Sequence, residues 1–149
     1  MAGRLNALAT YGRVANTETN PLQQIVMLYE GAIKFLNLAA ADIEAGDIAA
    51  KAEHSNRALD IIGYLQSILD FERGGDVAPA LDALYSITSL TILRASAALD
   101  AAGMRRAASL LMPVRNSWAT IAEGPSLTPA SAGGPAIPAA SPKLSASSY

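Results

Sequence analysis

PLQQIVMLYEGAIKFLNLAAADIEAG, residues 21–46, repeats its apolar side chains at helical intervals. Leu22, Ile25, Tyr29, Ile33, Leu36, Ala40 and Ile43 follow steps of three and four, which places them on one face of a helix. The ends carry matching signals. Asn20 is a good N-cap, Pro21 suits the first helical position, and Gln23 stands where a capping box takes Glu or Gln. Gly46 stops the helix, since glycine enters the left-handed conformation without steric cost. A second apolar set, Met27, Leu28, Phe35 and Leu38, lies off that stripe. The pattern predicts a helix that is apolar over more than one face.

Three further helical patterns follow. The second is capped by Asp47 and carries two stripes. One holds Ile48, Ala52, Ser55, Leu59, Ile62, Gln66 and Leu69; the other holds Ala58, Ile61, Leu65 and Ile68. Gly74-Gly75 is expected to end it. The third is expected to start at Asp76, with Pro79 tolerated in its first turn, and to end at Gly103. Its stripe is Val77, Leu81, Leu84, Thr88, Thr91, Ala95 and Leu99, with Tyr85, Ile87, Leu90 and Ile92 beside it. The fourth is expected from about Met104 to Glu123, with Ala107, Leu111, Val114, Trp118 and Ile121 inward. Pro113 lies inside it. An interior proline removes a hydrogen bond and crowds the carbonyl four residues back, at a cost of roughly 3 kcal/mol. A kink near Ser109 to Pro113, or a split into two helices, is therefore expected.

Short connections favour antiparallel neighbours, so the expected fold is all-α, an antiparallel four-helix bundle. It is expected to span residues 21–123, between an N-terminal arm (1–20) and a C-terminal tail (124–149). The tail holds five of the eight prolines, many Ala and Ser, and one charge, Lys143. Its few apolar residues do not offset the cost of ordering it, so it reads as disordered. The arm lacks periodicity, but Leu5, Leu8, Tyr11 and Val14 are available to touch the body.

Composition removes several function classes. The chain has 149 residues, no cysteine and one histidine. Without cysteine there is no thiol nucleophile and no thiolate metal site. His54 has no sequence neighbours that complete a triad or metal shell. Asp42, Glu44 and Asp47 lack the spacing of a calcium loop, and Gly74-Gly75 lacks that of a phosphate loop. No catalytic residue, cofactor or metal is expected. A net charge of −2 argues against a nucleic-acid partner. No apolar run suggests a signal peptide or membrane insertion, so a cytoplasmic location is the expectation. Apolar residues make up 51% of the chain, and the first three helices exceed the single stripe that a bundle needs. Two readings are open: a thick core filled with alanine, or an apolar groove awaiting a partner.

The segment Leu28–Leu36, LYEGAIKFL, resembles the first-helix signature of the flagellar secretion chaperone FliS family. Further pieces recur in family order: Gly46-Asp47-Ile48, Arg57-Ala58, Ile61-Ile62, Leu65-Gln66-Ser67, Leu69-Asp70, Gly74-Gly75, Leu81-Asp82-Ala83-Leu84-Tyr85, and Arg115 with Trp118. The resemblance covers roughly Tyr11 to Ile121. It implies a cytoplasmic helical bundle that holds the C-terminal segment of flagellin, prevents premature polymerisation and delivers it to the type III export gate component FlhA. It also implies that the apolar surplus is a groove for flagellin. The expected groove residues are Met27, Tyr29, Ile61, Leu65, Ile68, Leu69, Leu84 and Tyr85, joined by Tyr11 and Val14 of the arm. The alternative is a structural or signalling bundle that self-associates through its apolar face.

Overall fold

A computed structural model describes residues 21–124. They form four α-helices: α1 (Pro21–Ala45), α2 (Ile48–Ser67), α3 (Val77–Ala98) and α4 (Ala101–Ala122). Each helix packs on the next, and α4 returns to pack on α1. The result is the expected antiparallel four-helix bundle. The expectations placed on residues 1–20 and 125–149, including those for Tyr11 and Val14, lie outside the described residues.

The second apolar set of α1 has a simple cause. The α1 helix packs closely against both α2 and α4, so one stripe is not enough. Its buried residues include Ile25, Leu28, Tyr29, Leu36 and Ala40. The α1–α2 turn is built as expected. Gly46 has φ +75°, and the Asp47 amide donates to the Asp42 carbonyl at 2.8 Å. Asp47 then caps α2, its Oδ1 accepting from the Ala50 amide at 3.0 Å.

The α2–α3 junction corrects the sequence reading. The α2 helix ends at Ser67, well before the glycine pair. Local side-chain bonds take over there. The Ser67 hydroxyl donates to the Tyr64 carbonyl at 2.7 Å, and Asp70 Oδ1 accepts from the amides of Glu72 and Arg73 at 3.1 and 3.0 Å. The glycines serve the entry to α3 instead. A Cβ on Gly74 would stand 2.6 Å from the Asp70 carbonyl oxygen and 2.8 Å from Ala78 Cβ, and Gly75 has φ +55°. Asp76 makes no side-chain cap, because its own backbone is already helical.

The α3–α4 junction is a second correction. Gly103 does not end α3; it lies in the first turn of α4. There its amide donates to Asp100 Oδ1 at 3.0 Å, and a Cβ would come within 2.8 Å of Ala95 Cβ on α3. Glycine thus lets the two helices approach. The left-handed residue that closes α3 is Leu99, with φ 54° and ψ 47°. A branched aliphatic side chain is costly in that conformation. Leu99→Gly is therefore expected to stabilise the bundle by about 1 kcal/mol, a rise of several degrees in Tm. A calorimetric melt checks this; an unchanged or lower Tm contradicts it.

The α4 helix runs unbroken through Pro113. Pro113 and Ser109 are both exposed, so the carbonyl that loses its donor faces water rather than core. Two arginines fasten α4 to α1. Arg105 makes a bidentate pair with Glu44 at 2.8 and 2.9 Å, and Arg115 pairs with Glu30. Arg105 holds the Glu44 carboxyl below its ordinary pKa through this hydrogen bond. Both pairs are exposed, so they set register more than stability.

The core is centred on Tyr29, Leu36, Ile61, Ile62, Leu65, Tyr85, Ile92, Leu111 and Trp118. Within it the hydroxyls of Tyr29 and Tyr85 bond to each other at 2.6 Å. Burial pushes the Tyr29 phenol up to about 12, and raises Tyr85 well above the ordinary 10.0. A raised phenol contributes stability that is complete below about pH 10 and is lost as pH climbs towards the folded value. The Tm is accordingly expected to fall above about pH 10, and to fall less steeply in Tyr29→Phe. Parallel pH profiles for the two proteins test this.

Candidate functional site

The polar groups of the bundle are used mainly for fastening. His54 Nδ1 lies 2.6 Å from Asp42 Oδ2, and its ring stacks on Phe35 with centroids 5.9 Å apart. The histidine therefore ties α2 to α1. Lys51 is buried and donates to Ser96 through both the carbonyl and the hydroxyl, at 3.2 and 3.1 Å, which ties α2 to the last turn of α3. Gln66 Nε2 donates to Asp82 Oδ1 at 2.8 Å and to Ser86 Oγ at 3.0 Å, near the opposite ends of the same two helices.

The apolar surplus stands on α3. Its inward stripe is Ala78, Leu81, Tyr85, Thr88, Ile92 and Ala95, and all six are buried. At 100° per residue, the opposite side of the helix falls on Ala83, Ile87, Leu90, Arg94 and Ala97. Those residues are exposed. Ile87 is 57% exposed, Leu90 46%, and the adjoining Leu93 54%. From Ala83 to Ala97 this face runs about 21 Å at 1.5 Å per residue. It is apolar except for Arg94. Two further aromatics are exposed, Tyr64 near the end of α2 and Phe71 in the α2–α3 link. A single exposed leucine needs no explanation, whereas large aliphatics repeating along one helix face mark a contact surface.

The residues expected to line a groove divide into two groups. Tyr29, Ile61, Leu65 and Tyr85 are core residues, between 0% and 2% exposed, which corrects their assignment to an open groove. The reason is rotational. The α2 helix turns Lys51, Ser55, Ala58, Ile61, Ile62 and Leu65 inward, so the expected second stripe is part of the core, while Ile48 and Ala52 of the expected main stripe are exposed. Tyr29 and Tyr85 then meet across the centre. Met27, Ile68, Leu69 and Leu84 are half-buried. The last three pack on the edge of the core, so they border the surface without forming it. Ile87 and Leu90 were legible as apolar residues off the main stripe of the third helix. Placing Tyr85 and Ile92 inward would have sent both outward by geometry alone. Leu93 lay outside both sets.

A shallow cavity of about 510 Å³ lies on the other side of the bundle, between α1 and α4. Asn37, Ser109, Met112, Pro113 and Asn116 help to line it. Its walls mix amides and a hydroxyl with apolar groups, unlike the continuous aliphatic face of α3. Among the described residues no group of three or more His, Asp or Glu side chains is placed to hold a metal ion. No helix among them is long and apolar enough to cross a membrane.

These features define a class: an antiparallel helical bundle in which one helix is apolar on its solvent side as well as on its core side. Comparison with known proteins narrows it. The family described as flagellar protein FliS matches residues 4–125, and the chain belongs to that family. It is 35% identical over 103 residues to the flagellar secretion chaperone FliS of Salmonella typhimurium, covering 68% of this chain and 76% of that protein. It is 31% identical over 102 residues to the flagellar secretion chaperone FliSB of Pseudomonas aeruginosa, covering 68% and 81%. The Vibrio cholerae flagellar secretion chaperone FliS is 34% identical over 99 residues, covering 66% and 73%.

Proposed function

We propose that this chain is a cytoplasmic export chaperone that binds the C-terminal segment of flagellin along the outward face of α3. By covering that segment it prevents premature polymerisation, and it delivers flagellin to FlhA at the flagellar export gate. Membership of the FliS family and the names of the relatives support the chaperone role. The observation that carries the site is the exposed row Ile87, Leu90 and Leu93 on a helix whose other side is already core. Full burial of one such side chain contributes about 1.5–3 kcal/mol, of which a partner supplies roughly half here because each is already about half buried. Ordering an unfolded segment costs about 2–5 kcal/mol or more, so several such contacts give firm yet reversible binding.

The same surface would suit a second copy of the chain, and stoichiometry separates the two readings. Titration with a peptide of the flagellin C-terminal segment is expected to give a one-to-one complex. Sedimentation showing a stable homodimer that excludes the peptide would support self-association instead.

A further inference from the structure

We infer that Arg94 is a specificity residue that pairs with an acidic side chain of the bound segment; this rests on the outward face of α3 being the client surface. The first observation is electrostatic. The other described cations are all engaged. Arg57, Arg73, Arg105, Arg106 and Arg115 have carboxylate partners, Lys51 has Ser96, and Lys34 lies over the Phe35 ring. Arg94 alone among them has no ion pair, hydrogen bond or ring contact within the described residues.

The second observation is position. Arg94 stands within the outward arc of α3, between the directions of Ile87 and Leu90, and is the only charge there. A segment that covers Ile87 and Leu90 also desolvates this guanidinium. A buried cation without a partner is strongly unfavourable, so the segment must supply an acceptor. A carboxylate does so best, because it meets the guanidinium through paired charge-assisted hydrogen bonds.

The third observation separates a side-chain carboxylate from a chain terminus. Apolar surface continues on both sides of Arg94. Ile87 and Leu90 precede it, and the exposed Ala97 follows it on the same face. A segment that covers this face as far as Ala97 runs past Arg94, so its carboxylate belongs to an Asp or Glu rather than to a chain terminus. The pair then fixes the register of the segment, which an aliphatic row alone specifies poorly.

The test is a double-mutant cycle by isothermal titration. The probe is a synthetic peptide of the C-terminal forty residues of the flagellin encoded in the same genome. Its variants replace each Asp or Glu in turn by the amide, and one carries an amidated C-terminus. Arg94→Met is expected to bind the parent peptide about tenfold or more weakly, with an unchanged melt. One acid-to-amide peptide is expected to lose as much against the parent protein and nothing further against Arg94→Met, and Arg94→Lys to recover part of the loss. The inference is overturned if Arg94→Met binds the parent peptide undiminished, or if only terminal amidation reproduces the loss. It is also overturned if the losses simply add for every peptide. Failure of the parent peptide to bind the parent protein overturns the client surface itself, and a result of that kind is distinct from the others.

Discussion

Leu65→Asp is expected to abolish the folded bundle. Leu65 is 2% exposed and belongs to the central cluster with Tyr29, Ile61 and Tyr85. Deleting a buried leucine's packing costs about 2–5 kcal/mol. An unpaired carboxylate in the same place adds several kcal/mol, unless it takes up a proton and leaves an unsatisfied polar group. Domains of this size are stable by only about 5–15 kcal/mol, so the sum consumes most or all of the margin. Circular dichroism should show loss of helix, or a melt displaced by tens of degrees. A near-native melt would mean that α2 is rotated from the orientation described, with Leu65 on the surface.

Ile87→Asp combined with Leu90→Asp is expected to do the opposite: the melt stays near-normal and flagellin-peptide binding falls by about two orders of magnitude. Both side chains are about half exposed or more in the free bundle, so the new charges remain hydrated and little core packing is lost. In the complex the same charges would be covered. Each substitution removes roughly half of the 1.5–3 kcal/mol that full burial contributes, since about half of each side chain is already buried, and adds the cost of covering a carboxylate; each 1.4 kcal/mol is tenfold in Kd. Each single variant is expected to weaken binding about tenfold or more. Undiminished binding by the double variant would place the client elsewhere, with the α1–α4 cavity the next surface to examine. Together with Leu65→Asp, this variant separates the two sides of the bundle: one residue is needed to fold, the others only to bind.

Why was so much of the fold legible, and so little of the site? The α1 helix carried its own boundaries, Pro21 and Gly46, and an unambiguous stripe from Ile25 to Ala40. The α2 boundary at Ser67 was not legible, because it comes from Ser67 and Asp70 competing for backbone groups, a contest stronger signals at Gly74-Gly75 overshadow. Gly103 is ambiguous in the sequence for a related reason. Glycine signals both a helix end and a close helix contact, and only the position of Ala95 on the neighbouring helix tells the two apart. Surface and core were hardest. On α2, Leu59 and Leu65 lie on different stripes of similar hydropathy, and the choice between them depends on helix rotation. That rotation is set by long-range contacts such as Lys51 with Ser96 and Gln66 with Asp82, which no local pattern contains. The surplus of apolar residues was visible in the sequence; its concentration on the outer side of α3 was not.

Docking of flagellin on the solvent side of α3 is open to a direct test. Methyl-labelled protein titrated with the flagellin C-terminal peptide and followed by NMR tests it most directly. The largest shifts are expected on the methyl groups of Ile87, Leu90 and Leu93, with little change at Ile33 and Met112 beside the α1–α4 cavity. Large shifts at Ile33 and Met112, with Ile87 and Leu90 unmoved, would contradict it.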